Sequence, residues 1–115
     1  MTVSAGYLDF VLSQLESIEC VTSKRMFGGA GLWSGGLFFG LIAADVLYFK
    51  VDETNAPDYE SAGMAVFSPF GTYSMAYRQV PPAVLEDSRE LRGWAEKALE
   101  AASRKSRKGS RKKSR

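Results

Sequence analysis

Lys24 to Val51 reads KRMFGGAGLWSGGLFFGLIAADVLYFKV, a set of short apolar runs cut by glycine pairs. Val46 to Val51 is β-branched and aromatic, the composition a pleated surface prefers. Alternation puts Leu47, Phe49 and Val51 on one face and Val46, Tyr48 and Lys50 on the other. Leu37 to Ile42 is apolar on both faces, and Ala43-Ala44-Asp45 is short enough to join the two runs as a hairpin. Gly28-Gly29 separates Ser23–Phe27 from Ala30–Trp33, and Gly35-Gly36 separates Trp33 from Leu37. Each pair supplies the positive φ that a tight turn needs. Gly40 inside its run predicts a bulge or a close backbone approach. Gly28-Gly29-Ala30-Gly31 matches neither the phosphate-loop spacing nor a dinucleotide fingerprint, so these glycines read as turns.

On the N-terminal side, Ala5, Leu8, Val11, Leu12 and Leu15 recur at helical spacing, so Thr2 to about Glu16 is predicted helical, with Thr2 or Ser4 as cap. Such a helix must bury its stripe, and the sheet is the natural partner. On the C-terminal side, Asp52 to Gly63 is polar and turn-rich, with a short helical segment starting at Pro57. Met64–Phe67 is a candidate strand, Ser68–Gly71 a turn, and Thr72–Arg78 an alternating strand that Pro81-Pro82 stops. Asp87 and Glu90 fit the start of a helix whose apolar face is Leu91, Trp94, Ala95, Ala98, Leu99 and Ala102. Trp94 reads as a core anchor.

The 115 residues fit one domain, here taken as residues 1–103, followed by a basic tail at 104–115. Eight of the fifteen Lys/Arg fall in that tail, which holds no acid, so seven face all thirteen acids in the body. The body is therefore near −6 and the tail near +8. Having no apolar residue after Ser103, the tail is predicted to be disordered when free. Arg104, Lys105, Arg107, Lys108, Arg111, Lys112, Lys113 and Arg115 are candidate phosphate contacts, with salt-dependent and sequence-independent affinity.

The chain has no histidine, which removes the commonest general base and metal ligand. Its single cysteine, Cys20, builds neither a disulfide nor a structural zinc site, and reads as a small buried or half-buried thiol. No catalytic residue, metal ligand or cofactor site is expected. One cysteine, no apolar run of about 18 residues and no signal-like N-terminus suit a cytoplasmic protein. Of the aromatic residues Trp33, Phe38, Phe39, Tyr48, Tyr73 and Tyr77, most are expected to pack against the two helices rather than to stack bases.

Arg25-Met26-Phe27-Gly28-Gly29 with Gly31, then Leu37-Phe38, then Leu47-Tyr48-Phe49-Lys50-Val51-Asp52 resemble the N-terminal domain of the TfoX/Sxy family. Phe67, Ser74-Met75-Ala76-Tyr77, Val80-Pro81 and Trp94-Ala95 follow in the family's order, so the resemblance spans roughly residues 5 to 102. It implies an α+β fold: an N-terminal helix, an antiparallel sheet of about five strands, and a C-terminal helix packed on the sheet. It also implies a non-catalytic bacterial regulator. The best-known members control competence and DNA-uptake genes with a cyclic-AMP-responsive transcription factor. Those members carry a second, helical domain where this chain has its basic tail.

Carried over onto this chain, the pattern marks Arg25, Met26, Phe27, Gly28, Gly29, Tyr48, Lys50, Tyr77 and Pro81. Phe27 is expected in the core. Arg25 and Lys50 read either as two solvated strand charges or, on neighbouring strands, as a cationic spot, and with Tyr48 and Tyr77 they form the candidate partner-binding set. The expected partner is an unidentified protein, with the transcription machinery one candidate and a second copy of the chain, paired edge to edge, another. The rival expectation is direct nucleic-acid binding along one track of Arg25, Lys50 and the tail.

Overall fold

The computed structural model describes residues 4–26, 28–67 and 76–113, with side chains as far as Lys105. Helix α1 (Ala5–Gln14) starts at Ser4, whose Oγ accepts from the Tyr7 amide at 3.2 Å. This is the N-cap bond expected of serine. The Ser4 amide donates to Asp45 Oδ1 at 2.7 Å and ties the helix start to the sheet. Val11 and Leu15 are fully buried, as their spacing predicted.

Five strands follow in sheet order β1 (Val21–Met26), β2 (Gly29–Ser34), β3 (Leu37–Ala43), β4 (Val46–Lys50) and β5 (Tyr77–Gln79), every neighbouring pair antiparallel. The β2–β3 turn uses Gly35 and Gly36, both at positive φ. The β3–β4 turn uses Ala44 and Asp45 at φ 53° and 54°, a left-handed conformation that non-glycine residues rarely adopt. The expected irregularity near Gly40 is present. Leu32 lies opposite Gly40 and Trp33 opposite Phe38, so Phe39 has no counterpart and bulges. A Cβ on Gly40 would stand 2.9 Å from the Tyr48 carbonyl oxygen, which explains the glycine.

The register sets two faces. Leu32, Ile42, Leu47 and Phe49 share the inner face with Phe39, and all are buried. Helix α4 (Ser88–Lys113) packs there through Leu91, Ala95 and Ala98. Its small alanines let the helix lie close on the sheet. Asp87 caps it as expected, Oδ1 accepting from the Arg89 and Glu90 amides at 3.1 and 3.3 Å.

Several sequence expectations need correction. Trp33, Phe38, Tyr48 and Tyr77 lie on the outer face and pack on one another and on Phe67, so of the described aromatics on the strands only Phe39 and Phe49 face the helices. Met64–Phe67 makes a single bridge, Val66 to Arg78, although Phe67 and Ala65 also share backbone hydrogen bonds with Tyr77 and Gln79. Pro81-Pro82 ends β5 and also starts a short helix, α3 (Pro82–Glu86), which the strand-stop reading overlooked. Proline suits a first helical turn because its missing amide has no partner there anyway. Between β4 and β5, helix α2 (Ala56–Ser61) forms where Pro57 predicted one.

The expectation of disorder after Ser103 also differs: α4 continues as helix to Lys113. Lysine and arginine are good helix formers, and a helix already nucleated on the sheet extends at little cost. Cys20 is exposed, in a turn at φ 55°, rather than buried. The expectations for Phe27, Ser68–Gly71, Thr72–Met75 and Arg115 fall outside the described residues.

Candidate functional site

At one end of the sheet the Gly35-Gly36 turn joins β2 to β3, β4 leaves, and β5 begins. An open cavity of about 300 Å³ sits there, lined by Gly36, Leu37, Phe38, Lys50, Tyr77, Ala102 and Lys105. Lys50 is the last residue of β4 and pairs with Tyr77 of β5. It is 7% exposed, yet it carries an ammonium. Its Nζ stands 4.9 Å from the centre of the Tyr77 ring, within range of a cation–π contact. The Phe38 and Tyr77 rings meet at 5.9 Å, and Trp33 packs on Phe38 at 4.9 Å.

The second cation comes from the far end of the chain. Lys105 lies three residues beyond Ala102 and seven beyond Ala98, so it continues the buried face of α4. It lines the same cavity as Lys50. Burial first, and the Lys105 charge second, pull the Lys50 ammonium down to a pKa of about 8 from 10.5, with Asp52 opposing. Burial also raises the Tyr77 phenol.

Two like charges do not approach each other unless something holds them. Asp52 Oδ2 accepts from Arg104 Nε at 2.7 Å, and the guanidinium also donates to Thr54 Oγ1 at 2.7 Å. Asp52 Oδ1 accepts from both the hydroxyl and the amide of Thr54, at 2.6 and 2.9 Å. These bonds, the Arg104 contact foremost, hold the Asp52 carboxyl well below the usual carboxylate range. Buried Asn55 completes the frame: its Oδ1 accepts from the Asp52 amide at 2.8 Å and its Nδ2 donates to the Lys50 carbonyl at 3.1 Å. Lys50-Val51-Asp52 therefore does two jobs. Asp52 anchors Arg104, and the anchored helix brings Lys105 to Lys50.

Of the predicted partner-binding set, the structure brings Lys50 and Tyr77 together. Tyr48 shares their face but pairs with Gln79 and stacks on Phe67 at 4.8 Å, outside the cavity lining. Arg25 is not beside Lys50. It lies on β1, with β2 and β3 intervening before β4, and its register runs through Ala30 and Ile42 to Leu47, the face opposite Lys50. Arg25 and Lys50 therefore do not form a cationic spot on neighbouring strands. Arg104 and Lys105, assigned to the tail by composition, belong to the folded body. A helical-wheel reading carried three residues past Ala102 would have found Lys105; nothing in the sequence pointed to the partnership of Asp52 and Arg104.

A second surface hollow of about 500 Å³ near the start of α4 is lined by Asp87, Arg89, Glu90, Gly93, Trp94 and Lys97. It mixes both signs of charge, and its Asp87 is occupied in capping the helix. Among the described residues no cluster of metal-ligating side chains was found, and no helix is long and apolar enough to cross a membrane.

A family model for the TfoX N-terminal domain matches residues 13–102. The chain belongs to the TfoX N-terminal domain family. The match covers the resembling residues from Arg25 to Ala95, and the helix–sheet–helix architecture is the one that resemblance implied. No curated protein matches the chain. Within this TfoX N-terminal domain the matched segment ends at Ala102, so Arg104 and Lys105 lie just beyond it and still complete the cavity.

Proposed function

We propose that this chain is a non-catalytic bacterial regulatory or adaptor domain. It acts by protein contacts through its folded body, and the basic C-terminal run lends it non-specific nucleic-acid affinity. The observation that carries this reading is the continuation of α4 to Lys113. It presents the cationic run on one helix attached to an acidic body, rather than on the body's own surface. The net negative charge of residues 1–103 disfavours a broad DNA-binding face there. Family membership and a composition without histidine support a role without catalysis. A cytoplasmic location accords with a single, exposed free thiol.

The test compares duplex DNA binding by the full chain and by a variant with Arg107, Lys108, Arg111, Lys112 and Lys113 all changed to Gln. Glutamine keeps the helix propensity and removes the charge. Wild-type log K is expected to fall by about 0.9 per phosphate contact as log salt rises, with the variant at least tenfold weaker in low salt. Arg25→Ala should leave affinity within about twofold. Equal binding by the five-site variant would remove the basic helix from the reading.

A further inference from the structure

The geometry points to a phosphate-binding site in the cavity between Lys50 of β4 and Lys105 of α4. This inference goes beyond the proposed contact of the basic helix with DNA, because it concerns a cavity of the folded body rather than the run beyond Lys105.

Four observations carry it. Lys50 and Lys105 both line one open cavity of about 300 Å³, ample for a phosphate and a small organic group attached to it. Among the described residues no acidic side chain lines that cavity, and neither lysine has a carboxylate within ion-pair distance. The nearest carboxylate in sequence, Asp52, is taken by Arg104 and Thr54. The rest of the wall is aromatic or apolar: Tyr77, Phe38, Leu37 and Ala102. Burying one ammonium beside another is unfavourable on its own. Here the chain spends an ion pair and a buried asparagine on keeping the two together.

An anion between them would relieve the repulsion. Two convergent cations match a phosphate monoester better than a single carboxylate, since the monoester carries close to two negative charges at neutral pH. Lysine binds phosphate as a point charge and needs no planar fork. The Tyr77 and Phe38 rings, half-buried beside the lysines, offer a planar apolar wall to whatever the phosphate is attached to. The same chemistry can come from a free phosphorylated metabolite or from a phosphate of a nucleic acid.

Calorimetric titration of the full chain separates the outcomes. The probes are inorganic phosphate, adenosine monophosphate, and a ten-nucleotide single strand with no terminal phosphate. The proteins are wild type, Lys50→Met, Lys105→Ala and, as a control on the sheet edge, Lys24→Ala. The expected result is saturable binding of at least one probe, weakened tenfold or more by Lys50→Met and by Lys105→Ala and by less than twofold by Lys24→Ala. Lys105 is exposed at the end of the packed helix, so its alanine variant should fold even if the Lys50 variant does not. Tightest binding of the mononucleotide assigns the site to a free phosphate ester, and tightest binding of the oligonucleotide assigns it to a nucleic-acid phosphate. The five-glutamine variant of the basic helix keeps both lysines. If it retains phosphate binding while losing DNA, this site stands apart from the function proposed above. Absence of binding by any probe, or binding that Lys50→Met and Lys105→Ala leave unchanged, overturns the inference.

Discussion

The two halves of α4 are held by different forces. From Leu91 to Ala98 the helix is placed by burial: Leu91, Ala95 and Ala98 have no exposed surface and lie in the common core. Beyond Ala102 it is placed by charge, through Arg104 on Asp52 and Thr54. Burial is non-directional and tolerates a polar outer face. The charged clamp is directional and fixes which residue comes next to Lys50. The first half gives the domain its stability, and the second gives it a site.

Substitutions can break that contrast at either end. Leu91→Ala removes a fully buried side chain from the burial half and is expected to cost about 2–5 kcal/mol in chemical denaturation. It should lower Tm without changing the charge-dependent behaviour of the other half.

Lys50→Met tests the charged half with the opposite sign. Lys50 binds its proton less tightly folded than unfolded, so it burdens the fold fully below about pH 8. The burden is relieved as pH climbs toward 10.5. The groups around it are Lys105, Tyr77 and Asp52. Methionine fills the same volume without the charge. Stability at pH 7 is expected to rise by about 2 kcal/mol, the shift being discounted for solvent that reaches the ammonium through the open cavity. The wild type's own gain between pH 8 and 10 should be absent from the variant.

Asp52→Asn acts on the clamp alone. Amide hydrogen exchange from Ser103 onward is expected to speed about tenfold, while Leu91 to Ala98 keep their protection. The Asp52 carboxyl is held below its ordinary 3.8, so its stabilisation is present above that pH and is lost as pH falls below it. The variant should lack this acid-sensitive part.

The smallest effect is expected in the burial half. Gly93 lies on the exposed side of α4, and a Cβ there meets nothing within 4 Å. Gly93→Ala should stabilise by about 0.5–1 kcal/mol in thermal denaturation and leave phosphate binding unchanged.

Most of the fold was legible because its signals are local. Glycine pairs marked the β1–β2 and β2–β3 turns, alternation in Val46–Val51 set which side chains face the helices, and the spacing from Leu91 to Ala98 gave the packed face of α4. Helix α3 was missed because Pro81-Pro82 signals a strand end and a helix start with the same residues. The helical continuation past Ser103 was not legible because composition ignores that a helix already docked upstream extends readily.

The site was legible only in part. Lys50 and Tyr77 stood out as residues of a family pattern, but the sequence offered Arg25 as their companion, and register places it on the other face. What the sequence by itself determined was the meander, its two helices and the acidic body with its basic run. What only the tertiary structure decided was that Lys105 meets Lys50, because Asp52 and Arg104 are 52 residues apart and their bond exists only once α4 lies on the sheet. Periodicity and turn chemistry act over a few residues, whereas a cavity between three strands and a helix end is set by how whole elements pack.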